Sequence, residues 1–142
     1  SGSSYYIPSP YLGSKPNPAY YDLPSSNMLS DFNGKANTGV LLVGVIYPAA
    51  NAAVNYKSAG AEEITWYLPA MGELGYLMVR YNKINAALTK LGASQLAPDI
   101  YYWSSTEFLA GYACSMASTA GSVGSYKTTN IALVRPFAQL DF

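Results

Sequence analysis

The sequence contains no histidine and a single cysteine, Cys114, and only 11% of its 142 residues are charged. Without imidazole, the usual Ser-His-Asp and Cys-His catalytic arrangements cannot be assembled, nor can metal sites that need histidine ligands. One cysteine also rules out an intrachain disulfide. The chain can fold without that staple, because half of it is apolar and 14% is aromatic, enough for the core of one ordinary domain. Eight Lys and Arg balance eight Asp and Glu, a formal net charge of zero. Nucleic-acid affinity comes mainly from neutralising phosphates, so no nucleic-acid partner is expected. An average soluble domain carries roughly 25% charged residues. Here neutral groups must cover the surface, and 14 Tyr and 12 Gly, with many Ser, Thr and Asn, supply them. Long apolar runs are also lacking. The longest, Val40 to Ala50, is interrupted by Gly44 and Pro48 and falls short of the ~20 residues a membrane span needs, so membrane insertion is not expected. The opening Ser1-Gly2-Ser3-Ser4-Tyr5 has neither a basic nor an apolar leader region. Any targeting segment is expected to lie outside this chain.

Five of the nine prolines, Pro8, Pro10, Pro16, Pro18 and Pro24, fall in the first 30 residues. That spacing excludes helix and leaves extended or turn structure. Tyr5, Tyr6, Tyr11, Tyr20 and Tyr21 add more apolar area than a free linker carries. Residues 1–30 are therefore expected to form an extended arm, and residues 31–142 the domain it packs against. Asp31-Phe32-Asn33-Gly34 is a turn signal, and the β-branched run Val40 to Ile46 is too short for periodicity to assign. Pro48 suits a first helical position, followed by an alanine-rich segment that Gly60 ends. After Trp66-Tyr67-Leu68-Pro69, the residues Leu74, Leu77, Met78, Tyr81, Ile84, Leu88 and Leu91 recur at helical spacing as a core stripe. Gly92 stops this helix, and Asn82 or Asn85 offers a cap that would split it. Beyond Pro98 the grammar changes to strands: Ile100 to Trp103, Ala113 to Ser118, Gly121 to Thr128 and Ile131 to Leu140. Helices followed by a run of strands read as α+β with segregated layers.

The acidic residues pair nowhere at glycosidase spacing, since Glu62-Glu63 reads as solvated loop charge. There is no phosphate loop and no S-x-x-K pattern, and Gly121-Ser122-Val123-Gly124 lacks the lysine and helix a phosphate cradle requires. Cys114 lacks an activating histidine, and a small apolar strand would raise its pKa. The chain is therefore read as non-enzymatic, with no cofactor or metal. Glu107 has an expected structural role, pairing with Arg135 or Lys127 across adjacent strands over a buried Trp103. Between Glu107 and Arg135 the only charge is Lys127. From composition, Phe108 to Leu133 reads equally as a neutral strand meander or as a binding surface built from Tyr, Ser, Gly and Asn.

Five segments occur in order: Asn33-Gly34-Lys35-Ala36-Asn37-Thr38; Tyr47-Pro48-Ala49-Ala50; Trp66 through Leu74; Trp103-Ser104-Ser105-Thr106-Glu107; and Val134-Arg135-Pro136-Phe137. In these, the chain from about residue 31 onward resembles the C-type-lectin-like domains of unknown function found in gut Bacteroidetes and their phages. Many of those are similar to the variable proteins of diversity-generating retroelements. The resemblance implies a C-type-lectin-like fold, with two main helices packed on short antiparallel sheets and a ligand surface near the C-terminus. It also implies an adenine-specific mutator acting between the last two motifs. Asparagine codons mutated at adenine yield Phe, Leu, Tyr, Cys, Ser, Ala, Gly, Ile or Val, but never Met, Trp, Lys or Glu. By that rule Trp103, Glu107, Met116 and Lys127 are scaffold, as are the motif residues Trp66 and Arg135. Phe108, Leu109, Gly111, Tyr112, Cys114, Ser122, Gly124, Ser125, Tyr126, Ile131 and Leu133 are the candidate variable, ligand-binding positions.

Where family members place an aromatic after the Ala that aligns with Ala113, this chain has Cys114. The Glu-Pro-Asn and Trp-Asn-Asp calcium motifs of sugar-binding lectins are missing, and so are the cysteines of the similarly folded formylglycine-generating enzymes. The resemblance thus carries a fold and not sugar binding. The expected function is a surface-displayed module that binds a cell-surface protein or glycan receptor, extracellularly or on a phage tail. The alternative is a structural or adhesive subunit of a pilus or phage tail fibre tip, in which residues 1–30 dock onto a neighbouring or identical chain.

Overall fold

The expected stripe from Leu74 to Leu91 is carried by two helices rather than one. The computed structural model describes residues 4–5, 28–43, 47–109, 112–119, 121–126 and 132–140. Among these, strand β1 is Ser4–Tyr5, helix α1 Gly34–Leu41, α2 Pro48–Val54, β2 Trp66–Tyr67, α3 Met71–Met78 and α4 Tyr81–Lys90. Then follow β3 Tyr102–Leu109, β4 Tyr112–Ala117, β5 Gly121–Tyr126, β6 Ala132–Leu133 and β7 Phe137–Ala138. The break between α3 and α4 falls at Val79–Arg80, ahead of both asparagines, and Arg80 leaves helical geometry at φ −106°, ψ 15°. The two halves have different neighbours, which accounts for the break. Helix α3 buries Met71, Gly72, Leu74, Gly75 and Met78, whereas α4 has no fully buried residue and lays only Tyr81, Ile84 and Leu88 against the core. Asn85 does not cap. It clasps Leu96, donating to its carbonyl at 3.1 Å and accepting its N–H at 2.8 Å.

Helix α4 ends as the sequence predicts. Gly92 takes φ +64°, Ala93 N–H reaches the Leu88 carbonyl at 2.9 Å and Gly92 N–H the Thr89 carbonyl at 3.1 Å. These are the paired bonds of a Schellman motif. Leu91 sits at the C-cap and is 78% exposed, so it drops out of the expected core stripe. Pro48 starts α2 as expected and presents Ala49, Ala50 and Ala53 to the interior, but the helix stops at Val54, well before Gly60. The unassigned Val40–Ile46 run is partly helical: Val40 and Leu41 close α1, and residues 44–46 lie outside the described residues.

The main sheet has the order β1-β6-β3-β4-β5, and β2 pairs with β7 in a second, two-stranded sheet. The architecture is α+β, with four described helices rather than two and with one parallel contact, β3 to β6, where only antiparallel pairing was expected. The segment read as one strand from Ile131 to Leu140 divides between the two sheets. Pro136, which has no N–H to give to a ladder, stands in the gap. Of the N-terminal arm, Ser4–Tyr5 forms an edge strand on β6, and Met28–Ser30 is a 3-10 turn whose Met28 is buried. Pro8, Pro10, Pro16, Pro18, Pro24 and the other arm tyrosines lie outside the described residues.

Two apolar clusters cover opposite faces of the main sheet. One joins Trp103, Ala113 and Ala132 to Leu41, Leu68 and the alanines of α2. The other joins Tyr102, Cys114 and Met116 to Met28, Met71, Leu74, Met78 and Leu96. Consecutive strand residues point to opposite faces, so Tyr102 and Trp103 enter different clusters, as do Ala113 and Cys114. Strand β4 is therefore covered on both sides and buried from Ala113 to Ala117.

Candidate functional site

Three of the five segments, Asn33–Thr38, Trp66–Leu74 and Trp103–Glu107, meet at one irregularity in β3. Trp103 lies opposite Ser115 and Glu107 opposite Ala113, so four steps along β3 match two along β4. The extra length is a bulge through Ser104, Ser105 and Thr106, and its freed polar groups find partners on other elements. Ser105 N–H donates to the Pro69 carbonyl at 2.7 Å, and Ser104 Oγ donates to the Cys114 carbonyl at 2.8 Å. Thr106 Oγ1 accepts Met71 N–H, the start of α3, and donates to Asp31 Oδ2, both at 2.8 Å. Asn37 of α1 bonds Asp31 Oδ2 at 3.1 Å and Ser105 Oγ at 3.3 Å. Next to this seam, Thr38 Oγ1 accepts Leu68 N–H at 2.9 Å, which ties α1 to β2. Ser104, Ser105, Thr106 and Glu107 are almost fully buried. These segments thus set the sheet and helices in register, which is a scaffold role.

Glu73 completes the frame at the start of α3. Its carboxylate accepts Ala70 N–H at 2.7 Å and the Tyr67 hydroxyl at 2.9 Å. Gly34, at the start of α1, comes so close that any Cβ there would overlap Glu73 Oε2, the Ala70 nitrogen and the Tyr67 ring. Burial raises the Glu73 pKa above 4.5, with Asp31 adding repulsion, against hydrogen bonds from Ala70, Tyr67 and Gly34 that lower it. Burial and then the Glu73 bond raise that of Tyr67. The folded protein therefore holds the Glu73 proton more tightly than the unfolded chain does. The stability this contributes is present below about pH 4.5 and is lost as pH rises through the raised folded value. Glu73→Gln, which keeps an acceptor and a donor in place, is expected to flatten the decline in unfolding free energy between about pH 4 and pH 7. Urea unfolding across that range measures the slope.

The frame delivers β3 to a hairpin whose far end carries the candidate face. Phe108 and Tyr112, both half-buried, form an edge-to-face pair with centroids 6.4 Å apart and planes at 83°, and Phe108 also packs against the second cluster. The Phe108 ring lies across β5 at Gly124, where a Cβ would stand 2.7 Å from its Cδ1. Gly124 is thus the flat bed on which Phe108 rests. Tyr126 is in register with Tyr112, Ser125 with Ala113, and Ser122 with Met116, and Leu109 closes β3 opposite Tyr112. The structure therefore gathers Phe108, Leu109, Tyr112, Gly124, Ser125 and Tyr126 at one end of the hairpin sheet.

Other candidates are not brought there. Cys114 has no exposed surface. Its sulfur lies 3.0 Å from Met28 Sδ inside the second cluster, because alternation along the doubly covered β4 turns it inward. It is a core residue and not part of the face. Leu133 is half-buried against the same cluster and pairs with Tyr102 and Ser4. Gly111, Ile131 and Lys127 lie outside the described residues. Trp103, Glu107 and Met116 are buried, in keeping with a scaffold role, and Trp66 is half-buried, edge-on to Tyr56 at 4.9 Å. The expected Arg135–Glu107 pair is not formed. Arg135, held between two sheets by the irregular segment before β7, instead donates to the Ser94 carbonyl at 3.1 Å. Sequence reasoning missed Asp31, Asn37 and the Ser104–Thr106 bulge as the hub of the scaffold. The one available signal is the polar run Ser104-Ser105-Thr106-Glu107 between the aromatic residues of β3.

Among the described residues no three metal-ligating side chains gather, and no helix is long and apolar enough to cross a membrane. No family model matches this chain, and no curated protein or solved structure matches it either.

Proposed function

We propose that this chain is a non-enzymatic ligand-binding module of the C-type-lectin-like kind, displayed on a cell surface or phage tail. In this reading the β3–β5 end of the sheet meets a protein or glycan receptor. The observation that carries it is the Phe108–Tyr112 pair, two edge-to-face aromatic rings of which Phe108 is bedded on Gly124, at the end of a hairpin whose root is pinned by the buried Ser104–Thr106 seam. A rigid strand holding half-buried aromatics loses little side-chain freedom on binding, and aromatics dominate binding hot spots. Removing these rings leaves the seam intact, although Phe108 also packs against the second cluster. The near-absence of charge from Phe108 to Leu133 lowers the desolvation cost of contact and leaves specificity to shape and neutral hydrogen bonds.

The test uses the purified chain, fluorescently labelled, on intact bacteria from its source community. Saturable binding is expected, and Phe108→Ala with Tyr112→Ala is expected to weaken it by about tenfold or more, as for a hot-spot pair. Undiminished binding by this double variant would place the receptor surface elsewhere. The source locus offers a second check, because the diversified reading requires a nearby near-identical repeat that differs only at adenines within the Phe108–Leu133 codons.

A further inference from the structure

A recess opens at the end of β4 opposite the Phe108–Tyr112 pair. It is a cleft of about 440 Å³ between α3, the turn before α1 and the foot of β4, within the ~300–1,000 Å³ typical of small-molecule sites. Counted along β4, Tyr112 to Ser118 spans about 20 Å at ~3.3 Å per residue, so this cleft is separate from the aromatic tip. Leu29, Phe32, Met78 and Met116 give it apolar walls. Gly72 and Gly75 shape its floor, because side chains there would strike the Leu29 and Asp31 carbonyls and the Leu29 side chain.

The cleft also carries two polar groups of different kinds. The Ser118 hydroxyl is buried on its wall with no hydrogen-bond partner among the described residues. Arg80 stands exposed at the rim, its guanidinium 3.6 Å from the Tyr76 ring centroid and its Nη1 donating to the Tyr76 carbonyl at 3.2 Å. Stacking restricts the plane of the guanidinium, and the Tyr76 carbonyl is its one hydrogen-bond acceptor among the described residues, which leaves N–H groups that suit a carboxylate. No acid among the described residues pairs with Arg80: Asp31 accepts from Thr106 and Asn37, and Asp99 accepts from Thr119. The charge balance of the recess is therefore positive at the Arg80 end, neutral and hydrogen-bonding at Ser118, and apolar between them.

We propose that this cleft binds a small amphipathic carboxylate, with its apolar body among Leu29, Phe32, Met78 and Met116, its carboxylate on Arg80, and a hydrogen bond to Ser118 when it carries a second polar group. The proposal is independent of the receptor reading and concerns other residues. The probes are octanoate, 1-octanol and octylammonium, which share one chain and differ in head charge. They are titrated into the full chain while the methyl NMR signals of Met78 and Met116 are followed. Octanoate is expected to shift both methyls saturably and to bind roughly tenfold more tightly than octanol, the scale of a charge-assisted hydrogen bond. Octylammonium is expected to be weakest. Arg80→Gln should bring octanoate to the octanol level, and rising salt should do so in part. The proposal fails if octanoate gives no saturable shift, if the three heads bind equally, or if Arg80→Gln folds and leaves octanoate affinity unchanged. The comparison of heads on the unmodified chain decides the matter even if that variant does not fold.

Discussion

Thr106→Val lowers the unfolding free energy by about 3 kcal/mol, although it exchanges one hydroxyl for a methyl of nearly the same size. Thr106 Oγ1 is the shared partner of Met71 N–H and Asp31 Oδ2. Valine leaves the buried amide at the start of α3 without its acceptor and takes a donor from a carboxylate. An unsatisfied buried donor costs about 1–3 kcal/mol, and a hydrogen bond to a charged group contributes about 1.5–3 kcal/mol. Valine favours strand and adds no volume, so propensity and packing do not offset the loss. Chemical denaturation gives the value. A change below about 0.5 kcal/mol, the scale of ordinary surface substitutions, would mean that the bulge is not the hub described here.

Trp103→Ala is expected to cost about 3–5 kcal/mol, the range for removing a fully buried large aromatic. Trp103 has no exposed surface and belongs to the cluster that joins Leu41 of α1, the alanines of α2 and Leu68 to the sheet. Its neighbours are mainly alanines, which cannot extend into the space left behind, so the cavity term is expected to be felt in full. Because Trp103 immediately precedes the bulge, the loss also loosens the root of the hairpin. The expected signature is a lowered denaturation midpoint with an unchanged denaturant slope.

The sequence made local rules legible wherever one residue type decides the outcome. Pro48 marked the start of α2, Gly92 the end of α4, and the composition after Pro98 the strand-rich half. It could not reveal features decided by what lies across the sheet. The split at Val79–Arg80 depends on how deeply α3 is buried compared with α4, and helical periodicity is the same on both sides of the break. A cysteine codon suits diversification, which places Cys114 on the face, but a strand covered on both sides gives an inward position no access to a ligand. Charge alone pairs Glu107 with Arg135 or Lys127, whereas the partner of Arg135 is an uncharged carbonyl 41 residues earlier in the chain. For the candidate face, sequence narrowed the region to Phe108–Leu133. Strand register sets Gly124 opposite Cys114, and burial then separates the exposed Gly124 and the half-buried Phe108 and Tyr112 from the fully buried Cys114.

The seam and the tip lie on one strand, with Thr106 and Phe108 two residues apart, yet they are assigned opposite duties. The half-buried tip rings should contribute only about 1 kcal/mol each to stability, less than a fully buried side chain. The most direct measurement places Thr106→Val beside the Phe108→Ala, Tyr112→Ala double variant and reads both unfolding free energy and cell binding. The account predicts that the first variant loses stability but keeps its binding while folded, and that the double variant stays folded and loses binding. A double variant that binds as the parent chain does, or a Thr106→Val protein of unchanged stability, would contradict it.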